Sequence, residues 1–157
     1  MKKSILWMLA AIMTCGIAIV LTSCGSDSED PGKTGSYRVW AAITNNTGKY
    51  TETNIKQLFE QYEALVNPIV AKEYGWTVTA KPEDMARVVA ENNAKAETIS
   101  KAITEQLEAI KKQFDAQDKS AYTGLMNLTV TVYAQQTLTG EMITNDKTVS
   151  LIYNIQQ

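Results

Sequence analysis

The side chains that could perform chemistry in this chain are limited by its composition, because its 157 residues include no histidine and only two cysteines. Without histidine, Ser-His-Asp and Cys-His nucleophilic systems and histidine-ligated zinc are excluded. Paired carboxylates could still act as acid and base or bind calcium, but the acidic residues show no metal-ligand spacing. Asp115, Asp118 and Asp146 stand at predicted helix ends or turns. The sequence therefore predicts no catalytic residues, no metal site and no cofactor.

The sequence also indicates a surface for molecular recognition, because aromatic and polar side chains alternate with apolar ones. If Val39 and Ala41 face a core, Arg38 and Trp40 point the opposite way, onto an open sheet face that also carries hydroxyl, amide and phenol groups. Such a face suits a glycan or an extended peptide, because aromatic rings bury large areas and polar groups give directional hydrogen bonds. The alternative interpretation is that Trp40 packs under a loop or against Trp76. The candidate ligand-binding residues are Arg38, Trp40, Thr129, Thr131, Tyr133 and Asn154.

The strands that would position these residues are indicated by a two-residue period. Residues 37–43 alternate in this way and end at the turn cluster 45–48. Residues 126–135 and 149–155 alternate more regularly, each with one apolar face and one mostly polar face. This pattern is typical of an antiparallel sheet that is covered on a single side. A brief extended piece is expected at residues 76–80.

Two helical segments are expected to provide the cover. Apolar residues recur at helical spacing from Ile55 to Val66, and Asn67-Pro68 is expected to end or kink that helix. A short helix from Pro68 to Tyr74, closed by Gly75, is expected to follow.

The longest helical signal covers about residues 82–117. An apolar stripe runs along it, and the opposite face carries Glu and Lys four residues apart, as on a solvated helix. A partner-binding coiled coil is the alternative interpretation. Asn92 falls within the stripe, where it would either line a pocket or be a buried, hydrogen-bonded amide. The predicted fold is therefore α+β, a two-layer domain with a three- to four-stranded, mainly antiparallel sheet covered on one face by helices.

The first residues of the chain have the order of a secretory leader. Lys2 and Lys3 precede an apolar run that ends in Leu21-Thr22-Ser23-Cys24. This resembles the signal peptide and lipobox of a bacterial lipoprotein, and the resemblance implies cleavage before Cys24 and its acylation, as with palmitate. The implied organisation is a signal peptide at 1–23, a lipidated cysteine and flexible tether at 24–36, and a single domain at 37–157. An uncleaved anchor helix with an incidental cysteine is the alternative.

The residues after Cys24 indicate a destination. Gly25 and Ser26 stand where an aspartate would signal inner-membrane retention, and residues 27–30 contain three acids. This segment is similar to the export tag of Bacteroidota-type surface lipoproteins, which implies an outer-membrane protein on the surface or periplasmic side. The alternative is that the acids only keep the tether soluble. Loss of Lys2 and Lys3 with the leader would leave 13 basic and 17 acidic residues, a net charge of −4. A mildly acidic chain has no electrostatic reason to bind nucleic acid. The expected partner is the lipid bilayer, which the chain would contact through acylated Cys24.

Three functional hypotheses follow from these features. The first is a lipid-anchored, non-enzymatic surface module that binds a glycan or a protein through the open sheet face. The second is a periplasmic structural or assembly factor that meets its partner through the long helix. The third is a carboxylate-dependent hydrolase, for which the composition offers little support.

Overall fold

A computed structural model describes residues 31–47 and 53–155 of the chain. The predicted leader, Cys24 and the acidic residues 27–30 lie outside these ranges. The elements follow in the order β1 (Lys33–Asn46), α1 (Thr53–Val70), β2 (Glu73–Ala80), α2 (Met85–Asp115), β3 (Gly124–Gln136) and β4 (Met142–Ile155).

The four described strands form one antiparallel sheet in the order β2-β1-β3-β4. Both helices lie on the same face of it, where most apolar side chains of β1, β3 and β4 are buried and Ile43 and Ile155 are partly buried. The α+β prediction, with one covered face and one long helix, is confirmed. The core comes from alternate strand residues and from the stripe of α2, and it includes Val39, Ala41, Leu128, Val130, Leu151, Ile99, Ile103 and Leu107.

The short helix predicted from Pro68 to Tyr74 is wrong. Helix α1 continues through Pro68 to Val70, and β2 begins at Glu73. Pro68 is exposed and lies close to the helix end, where one missing backbone bond costs little, and the Ala71 N–H closes the last turn on the Asn67 carbonyl at 2.8 Å. Residues 73–80 instead pair with β1, a long-range contact that local spacing does not reveal.

Element boundaries also differ from the sequence-based expectation at the starts of β1, α2 and β4, the last of which begins at Met142 and not at Val149. β1 begins at Lys33, so residues 33–36 of the segment expected to be tether pair with the end of β2. Helix α2 begins at Met85, because residues 81–84 form a turn that is closed by the Asp84 N–H on the Lys81 carbonyl at 3.0 Å. The helix still extends for 31 residues, long enough to pass beneath β1, β3 and β4.

The end of the sheet at the β3–β4 turn is closed by a tight contact. Gly35 of β1 is buried, and a Cβ atom built on it would lie 2.6 Å from Cγ of Leu138. The Thr137 N–H donates to the Ser36 carbonyl at 2.9 Å, and the Ser36 N–H donates to Thr137 Oγ1 at 2.7 Å. The turn is therefore fixed onto β1 by hydrogen bonds and by a side chain that occupies the space left by a glycine.

Candidate recognition surface

The face of the sheet opposite the helices carries every predicted ligand-binding residue. Side chains alternate between the two faces of a strand, so the burial of Val39 and Ala41 turns Arg38 and Trp40 outward. In the same way, burial of the even-numbered residues of β3 turns Thr129, Thr131 and Tyr133 outward, and burial of Tyr153 on β4 turns Asn154 outward.

Four side chains form a continuous ridge across three strands of this face. The rings of Trp40 and Tyr133 stack with centroids 5.2 Å apart and planes 19° from parallel. The Arg38 guanidinium carbon lies 4.8 Å from the centre of the Trp40 ring. Arg38 Nε donates to Glu73 Oε1 at 2.9 Å, which connects the stack to β2. We call Glu73, Arg38, Trp40 and Tyr133 the aromatic ridge.

The register of the sheet explains why these four side chains meet. Trp40 lies directly opposite Tyr133 on β3 and opposite Glu73 on β2. Arg38 is two residues before Trp40 on the same face, and its ion pair with Glu73 holds the guanidinium on the β2 side of the indole. The indole therefore contacts a cation and a phenol ring at the same time.

Trp40 and Tyr133 are both half-buried, and the ion pair beside them is half exposed, with 46% of the Arg38 side chain and 49% of the Glu73 side chain accessible. A ligand can therefore contact ring edges and a charged pair without any rearrangement of the sheet. The alternative interpretation that Trp40 packs against Trp76 is wrong. Trp76 lies on the helix-covered face, stacked on Tyr37 at 5.4 Å, and its indole N–H donates to Asn92 Oδ1 at 2.7 Å.

Asn92 is the hydrogen-bonded amide that its place in the apolar stripe suggested. Besides accepting from Trp76, its amide nitrogen donates to the Val88 carbonyl at 2.8 Å. Lys95 completes this cluster with its ammonium group 4.8 Å from the centre of the Trp76 ring. Trp76 is thus part of the contact between β2 and α2, and it does not belong to the open face.

The remaining predicted residues lie apart from the aromatic ridge or are covered. Thr131 is 5% exposed, and its hydroxyl lies 3.1 Å from that of Thr44. The hydroxyl of Thr129 lies 3.0 Å from that of Ser150. Thr129 is four residues from Tyr133 on β3, and since a strand rises about 3.3 Å per residue, the two lie roughly 13 Å apart. Asn154 lies opposite Leu125, at the far end of the sheet. The structure brings together Arg38, Trp40 and Tyr133 from the predicted set.

Glu73 is the member of the aromatic ridge that sequence reasoning missed. It fell inside the segment that was expected to be helical, although its neighbours carried a usable signal. Residues 73–80 alternate between Glu, Gly and Thr on one side and Tyr, Trp, Val and Ala on the other. That two-residue period, with Gly75 inside it, favours a strand over a helix.

A second polar cluster joins the C-terminal end of α2 to β4. Tyr153 donates from its hydroxyl to Asp115 Oδ1 at 3.3 Å, and Lys111 forms an ion pair with the other oxygen of Asp115. The Lys111 ammonium group holds the pKa of Asp115 below its ordinary value, with a smaller contribution from the Tyr153 hydroxyl. Burial, with the charge of Asp115, raises the pKa of Tyr153.

Tyr62 belongs to the same region, and burial followed by the charges of Asp115 and Glu108 raises its pKa to about 12. Both phenols are therefore protonated at neutral pH, and they act as packed side chains in the core. Within residues 31–47 and 53–155, no three acidic, cysteine or histidine side chains converge closely enough to hold a metal ion.

A groove of about 810 Å³ lies between the polar side of α2 and the first half of β4. Ion pairs such as Lys101–Glu105, at 3.9 Å, line its helical wall, and both side chains are more than two-thirds exposed. Pairs of this kind contribute little to stability and are ordinary on a solvated helix.

Comparison with known protein families, with curated proteins and with solved structures finds no match to this chain. In the described part of the chain, no helix combines the length and the apolar character needed to cross a membrane.

Proposed function

We propose that the chain is a lipid-anchored extracytoplasmic binding module, without enzymatic activity, whose aromatic ridge holds a protein ligand against the open face of the sheet. The single observation that carries the proposal is the stacked row of Arg38, Trp40 and Tyr133 on a face that no described helix covers. Arg, Trp and Tyr are the residue types that contribute most of the binding energy at protein interfaces.

The geometry of the stack favours a protein ligand over a glycan. A pyranose ring stacks on an open aromatic face, whereas the Trp40 ring already stacks on Tyr133 and lies against the Arg38 guanidinium. What the ridge offers a ligand is ring edges and a half-exposed ion pair. These suit the backbone and mixed side chains of a polypeptide, because edges and charged groups hydrogen-bond and pack at the same time.

The anchoring part of the proposal depends on the lipobox and tether. An acylated Cys24 would place the domain at the outer membrane, on the cell surface or on the periplasmic face. Because β1 begins at Lys33, the linking segment is residues 25–32, which span at most roughly 28 Å when extended. That length allows the domain to stand clear of the lipid headgroups while it remains close to the membrane.

The first experiment establishes the compartment and then tests the ridge. Mass spectrometry of the full-length protein should find lipid on Cys24, and protease shaving of intact cells should show whether the domain faces outward. Proteins captured from the corresponding side of the envelope by the parent chain are then identified and remeasured with Trp40→Ala. We expect at least about a thirtyfold loss of affinity, which corresponds to a hot-spot residue.

The matched control is Asn154→Ala, which lies on the same open face and far from the ridge, and which should bind like the parent. Equal binding of Trp40→Ala and the parent to every captured protein would remove the support for the ridge. Loss of binding in both variants would point to a general change of the sheet. A glycan array probed with the same three proteins distinguishes the ligand classes, since glycan binding that is lost in Trp40→Ala and kept in Asn154→Ala would contradict the preference for a protein ligand.

A further inference from the structure

The two edges of the sheet are protected to different degrees. An edge strand presents a row of backbone N–H and C=O groups, and proteins usually protect it with charge, proline or a bulge. At one edge, β2 is eight residues long, contains Glu73 and is flanked by Lys72 and Lys81. At the other edge, β4 is 14 residues long, and its final stretch, residues 148–155, contains no charged residue and no proline.

The same stretch of β4 carries an exposed apolar side chain. Ile152 is 59% exposed, the highest value among the large apolar residues of the described chain. It lies on the open face, diagonal to Leu125, which is 39% exposed. The irregularities of the β3–β4 pairing lie nearer the start of β4, between the partners of Val132 and Gln135, so residues 148–155 form a regular, neutral edge.

Among residues 31–47 and 53–155, no further strand pairs with the outer side of β4. The N-terminal segment joins the sheet before Lys33, at the end where Gln135 lies opposite Met142, and β4 runs away from that end toward Ile155. Residues 25–30 consist of glycine, serine and three acids, which are poor strand formers.

We propose that residues 148–155 pair with the same residues of a second copy of this chain, antiparallel and about a two-fold axis at Ile152. Ile152 then lies opposite its own copy, Leu151 lies opposite Tyr153, and the polar pair is Ser150 with Asn154. Moving the axis to Leu151 would set Ser150 against Ile152, so polar matching selects the first register. No like charges meet in it, because the stretch has none.

This pairing has a consequence for the open face. A two-fold axis between antiparallel strands is perpendicular to the sheet, so both copies turn the same face outward. The result is a continuous eight-stranded sheet that carries two aromatic ridges on one side. A ligand with two epitopes would bind such a dimer more tightly than it binds one copy. The inference itself does not depend on what the ridge binds.

A single cysteine tests the register in the full-length chain. At the axis, Ile152→Cys sets two thiols on Cα atoms about 4.5 to 5.5 Å apart, within the range of a disulfide. Mild oxidation should yield a covalent dimer on a non-reducing gel. Thr148→Cys is the matched control on the same face, since its copy would lie roughly 26 Å away along the strand and should not link. The parent chain, with Cys15 and Cys24, measures any background disulfide.

A charge at the axis tests the association independently of any disulfide. Ile152→Lys sets two ammonium groups face to face and should weaken self-association about tenfold or more, whereas Ile152→Val should preserve it. Circular dichroism checks that both variants are folded, and analytical ultracentrifugation in detergent measures association. A parent chain that is monomeric at every concentration would overturn the proposal. Equal linking of the two cysteine variants, or linking of Ile152→Cys only to other proteins, would also overturn it.

Discussion

The two faces of the sheet are built from alternate residues of the same four strands, yet they are constructed in opposite ways. On the covered face, Val39, Leu128 and Leu151 are fully buried beneath the helices. On the open face, hydroxyl groups lie against each other in pairs such as Thr129 and Ser150, and the largest side chains stack above the sheet. The contrast indicates that burial on one face sets the stability of the domain, so the other face is free to be selected for recognition.

The largest expected effect of this contrast is a difference in the free energy of unfolding between variants at two neighbouring residues of β3. Leu128→Ala removes a side chain that is 0% exposed, and it should lower the free energy of unfolding by about 2–5 kcal/mol, because lost burial and a residual cavity add together. Thr129→Ala, one residue further along β3, should cost less than about 1 kcal/mol. Urea denaturation of the parent and both variants measures the difference, and losses of equal size would contradict the division of roles.

A second expected difference concerns two glycines, one on each face. At Gly35→Ala, the new methyl group would meet Leu138 at 2.6 Å and force the β3–β4 turn outward, at a cost of about 1–3 kcal/mol. Gly75→Ala on the open face has its nearest neighbour, the Tyr37 carbonyl oxygen, at 3.7 Å, which is an ordinary contact. Thermal unfolding should therefore show a clear drop in Tm for the first variant and little change for the second. A drop of similar size in both would show that strand glycines matter here for another reason.

A third difference, in how stability depends on pH, should appear at alkaline pH. Tyr62 is fully buried, its hydroxyl has no hydrogen-bond partner among the described residues, and its pKa is raised to about 12 from an ordinary value near 10. The folded state therefore favours the neutral phenol more than the unfolded state does. The corresponding stability is fully present below pH 10 and is lost as the pH rises from 10 to about 12.

Tyr62→Phe should reduce this alkaline loss, and at neutral pH it should leave stability unchanged or slightly higher, because it removes an unpaired buried hydroxyl. The loss should not disappear in Tyr62→Phe, since burial also raises the pKa of Tyr37 and Tyr153. Identical pH profiles for the parent and Tyr62→Phe would contradict the assignment.

Much of this fold could be predicted from the sequence because its strongest signals are local. The alternation of residues 126–135 predicts both the strand and its two faces, and the stripe of α2 predicts a long helix packed on a sheet. The same alternation puts Arg38 and Trp40 on the face opposite Val39. These inferences need only the periods of two and 3.6 residues that follow from backbone geometry.

What the sequence could not provide was the pairing between distant strands. The stack of Trp40 on Tyr133 requires a particular register between β1 and β3, and Glu73 reaches Arg38 only because β2 pairs with β1. Both contacts join residues far apart in the chain, and no local pattern encodes them. The error at residues 68–74 has the same origin, because sheet pairing of Glu73 and Tyr74 prevailed over a plausible helix start at Pro68.

The smallest expected effect concerns the hydroxyl pairs of the open face. Thr44 and Thr131 have hydroxyl oxygens 3.1 Å apart, and the Thr44 hydroxyl also lies 3.4 Å from the Thr129 carbonyl. Replacing either threonine by valine keeps the shape and removes one partner, and in Thr131→Val the Thr44 hydroxyl retains the Thr129 carbonyl as an acceptor. A double-mutant cycle of Thr44→Val and Thr131→Val should therefore give a coupling energy of about 0.2–1 kcal/mol. A coupling above about 2 kcal/mol would mean that the open face contributes to stability on the scale of the core. Substitutions there would then carry a cost in stability, and the face could not vary for recognition as freely as the contrast implies.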